Sequence, residues 1–362
     1  MVCFENENYC NDKGLPDKPN ILLSNVEIEE YEWAYNTSWH TLSGNEKAWA
    51  LDLVLDSSNN VYITGRTEDS NEDALLIKLD DNGLEQWNTT YDGGAYDRGY
   101  GIALDASNNI YITGRTVNST TSNHDAFIAK FDNSGDQLWN VTWDGEASSI
   151  DEGHDIALDD AGNIYITGQV DSNDIFIAKF DPSGNHVWNS TWDNSYIEKA
   201  FGLTLDDSNN VYITGKMYYD ATIREDILVI KFDSNGIEQW NSTWDGINDY
   251  EQGNRIALDD SNHIYIAGQT QNASNAYELM VAKFDGLGNH LWNHTWNNGI
   301  GTAYGNDLHI DAANNVYIAG ESGNQALIKI FDTTGQEKWN LTWGNDVSLN
   351  AISIDNADGI YV

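Results

Sequence analysis

The tetrapeptide Tyr62-Ile63-Thr64-Gly65 returns as Tyr-Ile-Thr-Gly or Tyr-Ile-Ala-Gly at Tyr111, Tyr165, Tyr212, Tyr265 and Tyr317, and starts again at Tyr361-Val362. The spacings are 49, 54, 47, 53, 52 and 44 residues. A self-similar unit of this length cannot bury both faces of its own strands, so it must pack against its neighbours. Length alone would suggest two or three domains; the repeats overrule that reading.

Each unit reads as four short strands. In the second unit the first strand is Ile102-Ala103-Leu104-Asp105, matched by 156–159, 203–206 and 256–259. The turn Ala106-Ser107-Asn108-Asn109 follows, with Asn supplying the positive φ that a tight hairpin needs. The second strand, Ile110 to Gly114, is nearly all apolar, as expected for a strand covered on both faces. Ala126 to Asp132 makes the third, and Leu138 to Trp143, after a turn bearing Gly135, the fourth. The Asp-to-Trp interval across that turn is seven residues in every full unit, from Asp80–Trp87 to Asp332–Trp339. No apolar period of 3.6 is present, which excludes helical solenoids.

Four antiparallel strands per unit is the arithmetic of a propeller blade. At the N-terminal end, Asn36-Thr37-Ser38-Trp39 matches a fourth strand, and Ile21 to Ile28 a degenerate third. At the other end, Ala351 to Asp355 and Ile360 to Val362 supply a first and a second. The expected fold is therefore all-β, a seven-bladed β-propeller of four-stranded antiparallel blades. The N- and C-terminal strands would combine in one blade, which removes exposed sheet edges. On this reading residues 1–19 are a polar tail and residues 20–362 the propeller. The alternative is a chain whose repeats continue beyond Val362.

The units Asp125-Ala126-Phe127-Ile128-Ala129-Lys130-Phe131-Asp132 with Ser134-Gly135, Asp97-x-Gly99 before Ile102, and Ile110-Tyr111-Ile112-Thr113-Gly114 resemble the SBBP family of β-propeller repeats. That resemblance covers roughly residues 31–362. It implies a secreted or surface scaffold without a common catalytic site. The passage Phe131-Asp132-x-x-Gly135-x-x-x-Trp139 is also similar to quinone-dehydrogenase-like propellers, but the rest of that blade signature is missing and no quinone is inferred.

Composition limits the partners. The 362 residues carry 58 acids and 17 bases, a formal charge of −41. Such a balance excludes nucleic acid, which needs clustered Lys and Arg, and disfavours anionic membrane surfaces. No apolar run is long enough to insert in a bilayer. Asp supplies 39 of the acids and Asn numbers 44 against 3 Pro, a turn-rich inventory. Cys3 and Cys10 lie in the polar tail, either as a local disulfide or as two free thiols. No basic segment followed by an apolar core marks a signal peptide.

Connections within hairpins are uniform between copies, whereas those from second to third strand and from blade to blade vary. Arg115 to His124 contrasts with the short Gln169 to Asn173, and with Lys216 to Glu225 carrying Met217, Tyr218, Tyr219 and Arg224. Both variable classes emerge on one rim, so that rim is the expected recognition face. Its candidate ligand-binding residues are Asp52, Asp97, Tyr100, Asp151, His154, Asp155, Phe201, Tyr250, Glu251, Arg255 and Asp307. Glu198, Asn254, Asn306, Tyr96, Tyr196 and Tyr304 stand nearby. Acids beside aromatic faces suit sugars, cationic groups or a divalent cation. The simpler reading has each loop Asp accepting local backbone hydrogen bonds.

Other chemistry is thinly represented. Asp159-Asp160-Ala161-Gly162-Asn163 and Asp355-Asn356-Ala357-Asp358-Gly359 superficially suggest calcium, but both lack the downstream acid of a calcium loop and fit hairpin turns. No metal and no cofactor is expected. The eight His form no ligand motif, and no nucleophile elbow or P-loop is present. Lys78, Lys130, Lys179, Lys231 and Lys283 share one register of the third strand, where Ile330 stands in the sixth copy with Lys329 beside it. An inter-strand ion pair with the Asp that ends a first strand is expected. Glycosylation sequons recur on the fourth strands at Asn36, Asn88, Asn140, Asn189, Asn241, Asn293 and Asn340, with Asn118 and Asn272 in loops; roughly six would arise by chance. Their use depends on export.

The expected function is an extracellular or cell-surface scaffold, non-catalytic, recognising a protein or glycan through its variable rim. The alternatives are a polysaccharide hydrolase or lyase using rim carboxylates, and a purely architectural surface-layer module.

Overall fold

In a computed structural model, residues 48–362 are described, except 68–71, 118–122, 146–149, 172, 195, 220–223, 247–249, 300 and 346. Six four-stranded antiparallel sheets follow one another along the chain, each with its strands in sequence order. Their first strands, Ala48–Leu55, Asp97–Leu104, Glu152–Leu158, Glu198–Leu205, Glu251–Leu258 and Ala303–Ile310, touch one another in turn and line the axis. A two-stranded sheet, Ser353–Ile354 with Ile360–Tyr361, stands between the sixth blade and the first, and its first strand touches both. Among the described residues six blades are thus complete where seven were expected. The last repeat in the sequence holds only its first two strands. The segments expected to supply the other two, with the polar tail, Cys3, Cys10 and Asn36, lie outside the described residues.

The tetrapeptide explains itself in this frame. Its Tyr, Ile and Thr sit in the second strand, covered on both sides, and Tyr62, Tyr111, Tyr165, Tyr212 and Tyr265 are among the largest fully buried side chains. The Thr hydroxyl donates to a third-strand carbonyl, as from Thr113 to Phe127 at 2.8 Å. The Gly faces a β-bulge of the first strand, where the register slips between Gly99 and Gly101 in the second blade. A Cβ on Gly114 would lie 1.7 Å from the Arg98 carbonyl oxygen. Gly is therefore required by close backbone approach rather than by unusual dihedrals.

The seven-residue Asp-to-Trp interval is also a packing device. Asp132 Oδ1 accepts the amides of Ser134 and Asp136, closing the turn. Gly135, at φ 85°, then lies flat on the Trp87 indole of the preceding blade. In five blades the fourth-strand Trp meets the tetrapeptide Tyr edge-on, at 6.0–6.4 Å between ring centroids.

The lysine register forms the expected pairs. Lys130, Lys179, Lys231 and Lys283 lie 3.4–3.7 Å from Asp105, Asp159, Asp206 and Asp259. Each ammonium also stands 4.5–4.6 Å over the tetrapeptide Tyr ring. Lys78 differs, donating to Asn133 of the next blade at 2.6 Å. In the sixth blade the charge shifts by one residue. Lys329 turns to the other face of its strand, fully buried, with Nζ 2.7 Å from Glu337 and 4.1 Å over Trp296.

Candidate functional site

Four of the candidate residues meet on the axis. Arg255 reaches across the channel to Asp52 at 2.8 Å, Asp155 at 3.0 Å and Asp307 at 2.9 Å, joining the first, third, fifth and sixth blades. Each of these acids also accepts the amide of the residue after it and one from the following blade: Ile102 to Asp52, Leu203 to Asp155, Ile352 to Asp307. Burial, then Asp307 and Asp155, push Asp52 up to about 7 against the pull of Arg255. The four charges are thus engaged with one another and with backbone amides inside the ring.

The bulged residues one position earlier clasp neighbouring blades. Asn254 donates to Gly305 O at 2.8 Å, Asn306 to Leu349 O at 2.9 Å, and Asn350 to Ala50 O at 2.9 Å, which joins the terminal sheet to the first blade. In the second to fourth blades the same position holds Tyr100, His154 and Phe201. Their rings form a ladder, Tyr100 edge-on to His154 at 5.7 Å and His154 stacked on Phe201 at 5.6 Å. His154 sets Nδ1 2.6 Å from Ala200 O and Nε2 3.3 Å from Glu152.

Above this ladder lies a mouth the sequence reading missed. Glu72 holds Arg66 at 3.2 Å and Arg98 at 2.6 Å, while Glu152 holds Arg115 at 2.7 Å and His124 at 3.3 Å. Burial alone would raise Glu152, but His154 and Arg115 hold it well below the usual carboxylate range. The available signal was positional: Arg66, Arg115 and Lys216 each follow the tetrapeptide Gly in a chain with few bases.

A second group, on the fourth to sixth blades, is aromatic. Tyr277 and Tyr304 lie 5.6 Å apart with their rings tilted at 39°. Tyr250, Tyr218 and Glu225 share their electrostatic surroundings, and burial, then Glu225, raise the Tyr277 hydroxyl. Lys216 closes the group at 3.1 Å from Glu225. Tyr250 and Tyr304 were candidates; Tyr218 and Tyr277 join them because they stand at the facing ends of variable loops. Tyr96 and Tyr196 instead are exposed elsewhere.

Asp97, Asp151, Glu198 and Glu251 are placed differently from the expectation. They open or directly precede first strands, and each is 0% exposed at a junction between blades rather than displayed on the rim. Asp97 accepts the Gly93 amide at 2.8 Å, Asp151 those of Gly145 at 3.0 Å and Asp171 at 3.1 Å, and Glu251 the Thr270 hydroxyl at 2.9 Å. The sequons fall on outermost strands, with Asn88, Asn140, Asn189, Asn241 and Asn340 exposed and Asn293 partly covered.

A ring of four-stranded blades whose first strands line an axis holding a charged cluster defines a β-propeller. The SBBP family model, a beta-propeller repeat, matches residues 145–176, from the second blade's outer end into the third strand of the third blade. No curated protein matches the chain. Among solved structures it is similar to a polysaccharide lyase of family PL25, an ulvan lyase bound to -[GlcA(1-4)Rha3S]-. The identity is 11%, over 83% of this chain and 84% of that one, with a TM-score of 0.56. Sqt1 from Chaetomium thermophilum matches at 9% identity, over 84% and 74%, with a TM-score of 0.52. A Bacteroides caccae protein of unknown function matches at 13%, over 74% and 89%, with a TM-score of 0.50. At these identities the likeness is one of fold alone.

Proposed function

We propose that the protein is a non-catalytic recognition scaffold of the extracellular space or cell surface that holds a glycan at its mouth. The observation that carries this reading is the partly exposed group Tyr218, Tyr250, Tyr277 and Tyr304 around Glu225 and Lys216. Tyrosine rings offer flat apolar faces to sugar C–H groups, and the adjacent carboxylate and ammonium supply hydrogen bonds to hydroxyls. Arg66, Arg98 and Arg115, on the first and second blades, suit acidic substituents on such a chain.

The carboxylates invoked for hydrolysis or elimination are engaged elsewhere. Asp52, Asp155 and Asp307 are bound to Arg255, Glu152 is held below the usual carboxylate range by His154 and Arg115, and Asp97, Glu198 and Glu251 are buried at junctions. A general acid must carry a proton near the working pH and face the substrate. The PL25 lyase supplies no support for turnover here beyond a shared fold.

A glycan array read alongside a reducing-sugar release assay separates the alternatives. Binding without release is expected. The double substitution Tyr277→Ala and Tyr304→Ala should weaken it about tenfold or more, on the scale of ~1.4 kcal/mol per decade. Release of sugar from any bound glycan, or a flat array, would remove this reading. Export has its own check: peptides bearing Asn140 or Asn241 from native material should carry hexoses, and unmodified peptides at every sequon would count against glycosylation.

A further inference from the structure

The same three positions recur where one blade meets the next: an acid before or at the start of the third strand, an acid just after the fourth, and the acid at the head of the next blade. Where the second blade meets the third, these are Asp125, Asp144 and Asp151, and Asp151 is satisfied by two backbone amides. Where the fourth meets the fifth, they are Asp226, Asp245 and Glu251, and Arg224 adds a positive charge 2.7 Å from Asp245. Where the fifth meets the sixth, substitution has removed two acids: Asn297 donates to Glu278 at 2.7 Å and Ala303 heads the strand.

Two junctions are left. Asp73, Asp92 and Asp97 lie between the first and second blades; Asp174, Asp193 and Glu198 lie between the third and fourth. In each set one oxygen from every acid falls within 4.8 Å of the others. Asp97 and Glu198 are both 0% exposed. Asp97 Oδ1 and both oxygens of Glu198 are buried without a hydrogen-bond partner. The amides of Asn194 and Tyr196 face Glu198, yet neither reaches hydrogen-bonding geometry. A carboxylate oxygen kept from water with no donor is costly unless a cation takes the donor's place.

We propose that these two junctions, Asp73/Asp92/Asp97 and Asp174/Asp193/Glu198, each bind a divalent hard cation, with Ca²⁺ the ion their geometry suits. Ca²⁺ accepts six to eight oxygens at about 2.3–2.6 Å, so ligands on opposite sides of one ion stand up to about 5 Å apart. Oxygens within 4.8 Å already satisfy that spacing. Mg²⁺ demands a near-ideal octahedron and retains its waters, a poor match to three carboxylates contributed by two different sheets. Asp92 and Asp193 are exposed and give the ion its entry route. Each site bridges adjacent blades, so an ion there would tie the ring together.

The whole chain, stripped with a chelator and titrated with CaCl₂ by calorimetry, should bind one ion at each of these two junctions and melt at higher temperature. Asp97→Asn and Glu198→Gln should each remove one ion, while Asp144→Asn, at the junction where backbone amides satisfy Asp151, should remove none. Terbium competed off by Ca²⁺, its emission sensitised by Tyr91 beside Asp92 and Asp97, reads the first site in unmutated protein. No Ca²⁺ uptake, no terbium emission, or uptake unchanged in both variants would overturn the proposal.

Discussion

Replacing Arg255 with methionine is expected to destabilise the propeller by about 3–5 kcal/mol, the cost of stranding buried charge by removing its partner. Three buried carboxylates converge on this one guanidinium. The blade that follows each of them holds it there through the amide of Ile102, Leu203 or Ile352, which keeps it from swinging out to water. Methionine keeps the stem's volume and removes only the charge. The sign of the pH dependence distinguishes this from a packing defect. Asp52 already titrates near 7 because of burial and its two acidic neighbours, and without Arg255 its pKa rises further. The variant's deficit should therefore shrink on acidification, as Asp52 takes up a proton, and deepen at alkaline pH. Denaturant midpoints across that range measure it. Adding Asp52→Asn and Asp307→Asn to Arg255→Met should recover part of the loss. An Arg255→Met protein as stable as the parent would show that the three acids relax without it.

Gly114→Ala should cost about 3 kcal/mol, at the upper end of the overpacking range. The added methyl would stand 1.7 Å from the Arg98 carbonyl oxygen and 3.0 Å from the Phe127 ring, so the bulge would have to open. Backbone conformation does not contribute, because Gly114 is absent from the positive-φ residues. Gly299 provides the contrast. It has φ 76° but nothing within 4 Å of a Cβ, so Gly299→Ala should cost only about 1–2 kcal/mol of left-handed strain. Thermal or chemical denaturation of the two variants separates close approach from dihedral strain. Equal losses would contradict the assignment of the tetrapeptide glycine to steric approach.

Much of the site was legible, and the failures have definite causes. The lysine register could be read because lysine is scarce and the Asp ending each first strand lies one hairpin away, so local pairing brings the charges together. The axial cluster was half read: Asp52, Asp155, Arg255 and Asp307 were found by register. Their mutual contact depends on the ring bringing the fifth blade opposite the first and third, which no local pattern encodes. The junction acids were read as rim residues because the first strands were taken to start near Ile102 and Ile156. They begin at Asp97 and Glu152, and the bulge carries the earlier residues into the sheet. The mouth was least legible. Tyr218, Tyr250, Tyr277 and Tyr304 come from three blades, at or beside strand ends next to connections that vary between copies.

By itself the sequence determined the blade: its four strands, its Asp-closed turns, the Gly under the bulge and the Trp beneath the next turn. All of these are contacts within one repeat or with the adjacent one, and a repeat stamps such contacts at every copy. The tertiary structure alone decided how the described blades close around the axis, that one guanidinium meets three acids there, and which acids stand together between blades. Those outcomes arise where copies differ and where residues more than a hundred positions apart share one small volume, so they depend on ring geometry rather than on local pattern.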